Sequence, residues 1–236
     1  MRIWHQGFVE LEALPVYVEA LNRHVHAVAS PGVTVDLHGL ARGTYTPHRT
    51  AADIARDPLL APLGVAQVVE NIRRAEREGY DAAAITIVQN IGLREARAAV
   101  TIPVASYGEA AMHVACMVGE RFGVVAFDRI IAEIIEREIA RLGLASRAAA
   151  VEVVNTDYGG VVEAFDRPDR LVDAFTNAAR RAIAHGAESI IPGQTIMAEI
   201  LWQQGVRRID ETPIIDALGV TIATAELLVR LRRAAD

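Results

Sequence analysis

The sequence predicts an α/β protein built from two similar lobes with parallel sheets, each lobe Rossmann-like or flavodoxin-like. Three observations carry that expectation. Short β-branched or alanine-rich runs alternate with longer segments of helical period along the whole chain. Glycines follow the charged ends of the helical segments. A strand, polar loop and helix start in the first half, YDAAAITIVQNIGLREA, is matched in the second half by GAESIIPGQTIMAEIL.

In chain order, RIWHQGF reads as a strand, Leu11 to Val28 as a helix, VTVDLH as a strand, Val65 to Glu78 as a helix and AAAITIV as a buried strand. IPVAS, the helix Glu109 to Glu120, FGVVAF, the helix Arg129 to Leu142, AAAVEVV, the helix Arg170 to His185 and ESIIPG repeat the alternation. A helix from Thr195 to Gln203, the segment Thr212 to Ile215 and a last helix through Ala217 to Arg233 complete it. Gly79, Gly143 and Gly186 stand where helices end in a left-handed residue. The lobes are expected at residues 1–100 plus 212–236 and at 101–211.

Composition narrows the function. A chain of 236 residues can bury a sizeable core, and a net charge of −6 without basic runs disfavours nucleic acid and acidic membranes. A small-molecule substrate is the expected partner. With Cys116 as the one cysteine, no internal disulfide can form, and the opening MRIWHQGF lacks the pattern of a secretion signal. No apolar run approaches a membrane span, so a soluble, cytoplasmic protein is expected.

The quoted segments, together with IPVASYGEAAMHVA and RFGVVAF, resemble the aspartate/glutamate/hydantoin racemase superfamily, and most of all its hydantoin and allantoin racemase branch. The likeness covers most of the chain. It is strongest in NIGLREARAAVTIPVASYGEAAMHVACMVGERFGVV and weakest at Trp4-His5-Gln6-Gly7, where the family commonly has an Asn-Pro-Asn run. The resemblance implies an active site in a cleft between two lobes and neither a metal nor an organic cofactor. It also implies a homo-oligomer, and apolar-rich helices such as Ile130 to Leu142 offer surface for one.

The departure from the family concerns its chemistry. Racemases of the superfamily place one cysteine in each strand-to-helix loop, so that one thiolate removes the α-proton and the other thiol returns it on the opposite face. Here the loops read Ile87-Val88-Gln89-Asn90-Ile91 and Pro192-Gly193-Gln194-Thr195, and both thiols are missing. Cys116 lies within a helix and reads as a small buried hydrophobe. Gln89, Asn90, Gly193, Gln194 and Thr195 then become candidate binding groups, since amides pair donors and acceptors with a carboxylate, urea or imide. The bland alternative is that they cap turns.

Proton transfer must be sought elsewhere. His5 ends the first strand and ordinarily titrates near neutrality; it is either a site residue or an edge histidine in solvent. Gln6 follows it as a candidate substrate contact. Glu109 opens a helix directly after a strand and can serve as acid or base, or simply favour the helix dipole. His113, four residues on, shares its face, so the two can orient each other. Tyr158, beside Asp157 in VVNTDYGG, can supply a phenolic donor, while Thr44 and Tyr45, with His48, lie in a polar segment able to close over ligand. His24 and His26 flank Val25 and point to different helix faces, so no metal site is expected. The expected function is therefore cofactor-independent racemisation or isomerisation of a small carboxylate or hydantoin-like cyclic amide by groups other than cysteine. A hydrolase, a decarboxylase-like lyase and a catalytically silent binding homologue are the alternatives.

Overall fold

The computed structural model describes residues 1–44, 57, 60–156 and 163–235. Two compact units emerge, Met1–Tyr107 with Thr221–Asp236, and Gly108–Val220. In the first, strands β1 (Arg2–Gln6), β2 (Thr34–His38), β3 (Ala82–Ile85) and β4 (Val104–Ser106) form an all-parallel sheet in the order β2-β1-β3-β4. In the second, β5 (Phe122–Ala126), β6 (Ala148–Val153) and β7 (Ser189–Pro192) form a parallel sheet in the order β6-β5-β7, and Ile214 adds a parallel bridge to Ile190 beyond β7. Both units thus share one strand order, which is the expected two-lobed α/β architecture.

Helices connect the strands, as parallel pairing requires. They are α1 (Pro15–Val28), α2 (Ala61–Arg77), α3 (Leu93–Ala99), α4 (Tyr107–Val118), α5 (Arg129–Arg141), α6 (Asp169–Ala184), α7 (Thr195–Gln203) and α8 (Ala217–Ala235). Their ends depart from the sequence reading for identifiable reasons. The expected helix from Leu11 divides into a 3₁₀ turn, Leu11–Ala13, and α1, because Leu14 precedes a proline and is held at φ −132° and ψ 61°. Helix α2 begins four residues earlier than expected, with Pro62 in its first turn, where a missing N–H costs nothing. Arg208–Ile209 (β8) and Thr212–Pro213 (β9) form an antiparallel hairpin through Asp210, at φ 51°, a pairing that the sequence reading did not anticipate.

In the first unit the core packs α2 and α3 onto the sheet through Trp4, Val68, Ile72, Ile85, Leu93 and Val104, all at most 2% exposed. Burying a side chain of the size of Ile72 or Leu93 is worth roughly 1.5–3 kcal/mol. Trp4 also stacks on His38 at a ring-centroid distance of 3.2 Å, and Tyr80 closes that edge by donating to Asp36 at 2.6 Å. In the second unit Phe122, Val124, Ile131, Ile135, Phe175 and Ile190 are buried between β5, β7 and the helices α5 and α6. Asp128 starts α5 by accepting from the Ile131 N–H at 2.9 Å.

Candidate functional site

With the order β2-β1-β3-β4, the chain crosses from one side of β1 to the other between β2 and β3, so the crevice outside the carboxyl ends of β1 and β3 is the switch point of the first unit. His5 and the residue after β3, Thr86, meet there. The Thr86 hydroxyl lies 2.8 Å from His5 Nε2, and His5 Nδ1 lies 3.3 Å from the carbonyl oxygen of His38. A carbonyl only accepts, so the neutral ring carries its proton on Nδ1 and Nε2 accepts from Thr86. His5 is fully buried, and desolvation lowers its pKa from 6.5 to about 4. It is therefore neither an edge histidine in solvent nor a group that titrates near neutrality, and its ring fixes the direction of the Thr86 hydroxyl.

Gln6, also fully buried, points to the opposite side of the strand and accepts from Trp4 Nε1 at 3.1 Å while donating to the Gly7 carbonyl at 2.8 Å. Its amide is tied into the strand end. The loop between β3 and α3 then turns at Asn90, which has the left-handed φ of 52°, a conformation asparagine tolerates better than most side chains. Asn90 is 6% exposed, and its Oδ1 accepts from the Ser106 hydroxyl at 2.7 Å, tying the loop to the end of β4. Gln89, one residue earlier, is half-buried. Thr44 is held beside α2: its hydroxyl donates to the Ala41 carbonyl at 2.6 Å and accepts from Gln67 at 3.2 Å. Tyr45 and Tyr158, with His48 and Asp157, lie outside the described residues.

The equivalent loop of the second unit follows β7. Gly193 donates its N–H to the Val125 carbonyl at 2.7 Å, and a Cβ at this position would stand 2.7 Å from the same oxygen, so only glycine fits so close to β5. Gln194 is the residue before α7 and has an extended backbone, but its side chain makes no capping bond. Thr195 opens the helix and is 7% exposed. Glu199, a turn later on the same face, is fully buried. Its signal in the sequence was a single carboxylate in the otherwise apolar stretch TIMAEILW.

Helix α4 starts at Tyr107, the residue after β4, and places Glu109 half-buried in its first turn. The expected pairing with His113 is not formed. His113 is exposed, and its Nδ1 lies 2.7 Å from the backbone carbonyl of Glu109, within hydrogen-bond reach of the main chain instead of the carboxylate. Cys116, on the same helix, is half-buried, and burial pushes its thiol pKa upward, so the sulfur stays protonated at neutral pH. His24 is buried in α1 and His26 exposed, so the two face different ways. Among the described residues no group of three His, Cys, Asp or Glu side chains is placed to hold a metal ion.

Sequence reasoning overlooked Thr86 and Ser106 in the first unit. The cue for Thr86 was its hydroxyl between Ile85 and Ile87; the cue for Ser106 was its place between a strand and a helix without an intervening loop.

The chain is 28% identical over 170 residues to a hydantoin racemase from Pseudomonas sp. (strain NS671), an alignment that spans 72% of this chain and 66% of that relative. It is also 28% identical over 173 residues to the hydantoin racemase of Paenarthrobacter aurescens, covering 72% of this chain and 70% of the relative. Among solved structures, the allantoin racemase of Pseudomonas fluorescens superposes with a TM-score of 0.75 at 25% identity, covering 98% of this chain and 92% of that one. The allantoin racemase of Klebsiella pneumoniae shares the fold with a TM-score of 0.80, covering 98% of this chain and 88% of its own. The sequence pattern that defines the Asp/Glu/hydantoin racemases matches residues 9–225, nearly the whole chain, which therefore belongs to that family.

Proposed function

We propose that this protein inverts a stereogenic centre of a small hydantoin-like cyclic amide without a cofactor, using the loops at 86–92 and 193–195. The observation that carries this reading is the equivalence of those loops: each follows the third strand of a parallel sheet with the same strand order. Racemisation needs a proton removed on one face of the carbon and returned on the other; here the two loops supply substrate contacts and groups outside them move the proton. The hydantoin racemases to which the chain is similar supply the substrate class.

Neither loop holds a thiol, so the roles are assigned to other groups. Thr86, oriented by neutral His5, and Gln89 are assigned to substrate binding. Gln194, with the N–H groups of the first turn of α7, is assigned to an amide or carboxylate of the substrate. Glu109 and Tyr158 are assigned to proton transfer. We further propose a homo-oligomeric cytoplasmic enzyme; exposed Leu63 and Met117 favour association, and a 25.5 kDa mass by light scattering across a wide concentration range would refute it.

The decisive experiment follows exchange of the substrate C–H in deuterated water by NMR, with optical rotation in parallel, for substituted hydantoins and allantoin. Exchange and loss of rotation should persist after iodoacetamide treatment. A second reading, a silent binding homologue, is favoured by the thiol-free loops alone; binding without exchange would establish it. Loss of exchange in step with alkylation of Cys116, with Cys116→Ala folded but inactive, would return the chemistry to a thiol.

A further inference from the structure

A cavity of about 640 Å³ opens at the carboxyl end of β6 within the second unit, a volume in the range of small-molecule sites. Its floor is apolar, formed by Val154, Ala164 and Leu171, the last two at most 5% exposed. Its rim is polar and includes Thr156, Arg167 and Arg170, with Asn155 and Glu163 completing it. The rim is continuous with the end of β5: Val154 donates to the Ala126 carbonyl at 3.0 Å and Thr156 to that of Phe127 at 3.2 Å. Between them Asn155 takes the left-handed φ of 55°, a costly conformation that tends to persist where a backbone must present neighbouring groups.

Both arginines are exposed. Arg167 and Arg170 pair with no described carboxylate, although Glu163 shares their cavity. Arg170 also sits in the first turn of α6, where the helix dipole disfavours a cation. Two guanidinium groups above an apolar floor, one of them against the helix dipole, are suited to an incoming anion with a small apolar body.

We infer that this cavity binds the carboxylate of a small acid-bearing ligand. The inference goes beyond the proposed function: the cavity shares no lining residue with the groups assigned there to the substrate.

Isothermal titration of the intact protein tests it without turnover, using succinate, hydantoin-5-acetate and inorganic phosphate as separate probes. Succinate and hydantoin-5-acetate should bind at millimolar concentration or below, and Arg167→Gln/Arg170→Gln should weaken both by roughly tenfold or more. Arg137→Gln, which removes an exposed charge from α5, should leave binding unchanged. Each single arginine variant should show part of the loss, which keeps the test decisive if the double variant fails to fold.

Absence of binding by either carboxylate, equal binding by the double variant, or an equal loss in Arg137→Gln would overturn the inference. Phosphate binding more tightly than succinate would overturn the assignment to carboxylate. Arginine-dependent carboxylate binding with no proton exchange in any substrate would refute the racemase reading and leave the cavity standing.

Discussion

The two strand-to-helix loops occupy one topological position in the two sheets and are built by opposite means. The loop after β3 is fastened by side chains: Thr86 to His5 at 2.8 Å, Asn90 to Ser106 at 2.7 Å. The loop after β7 is fastened by main chain, through the 2.7 Å contact of Gly193 N–H with Val125 and a helix start that Gln194 leaves without a side-chain cap. A shared fold therefore does not imply shared sensitivity. In the first loop the polar side chains hold the structure; in the second, the absence of a side chain at Gly193 does, and the Gln194 side chain takes no part in capping.

The largest expected effect tests that second statement. Gly193→Val places a branched side chain against the β5 backbone, where a Cβ alone would stand 2.7 Å from an oxygen, and should destabilise the protein by about 3 kcal/mol or more in chemical denaturation. A loss below about 0.5 kcal/mol would show that the loop is not fastened through its backbone.

Acidification probes the first loop. The pKa of His5 falls from 6.5 to about 4 on folding, so between those values the unfolded chain binds the extra proton and the folded one does not. The stability associated with neutral His5 is complete above pH 6.5 and is lost as the pH falls toward 4, a change on the order of 3 kcal/mol. Unfolding curves across this window should show that slope in the wild type and lack it in a folded His5→Asn variant. An unchanged slope would place the titrating group elsewhere.

Asn90→Ala should cost about 2 kcal/mol, because the buried Ser106 hydroxyl loses its acceptor and alanine is less tolerant of a φ of 52°. Thermal unfolding that matches the wild type would contradict the comparison at its first loop. Gln194→Ala lies at the other extreme. Its stability change should stay within about 0.5 kcal/mol, while KM for a hydantoin rises roughly tenfold with a smaller change in kcat. A fall in Tm without a change in KM would make Gln194 a structural residue after all.

Much of the architecture was readable from sequence because its signals are local. β-Branched and alanine runs mark β1, β3, β5 and β7, helical period marks the crossovers, and Gly79, Gly143 and Gly186 adopt the positive φ expected of them. Element ends were less legible where one residue decides, as at Pro15 and Pro62. The hairpin at Asp210 escaped notice because two-residue strands carry too little pattern to read.

The sequence by itself determined the alternation of strands and helices, the presence of two polar loops in matched contexts, the family and the lack of thiols in those loops. Each of these depends on neighbouring residues or on their order. The tertiary structure alone decided what the polar groups do. His5 and Thr86 are 81 positions apart and meet only because β1 and β3 pair in register; Asn90 meets Ser106 because β4 pairs with β3. Burial, set by that pairing, turned a residue expected to titrate near neutrality into a neutral acceptor, and it turned Gln6 inward to Trp4. Desolvation and hydrogen-bond partners are properties of what surrounds a side chain, and those surroundings come from distant parts of the chain.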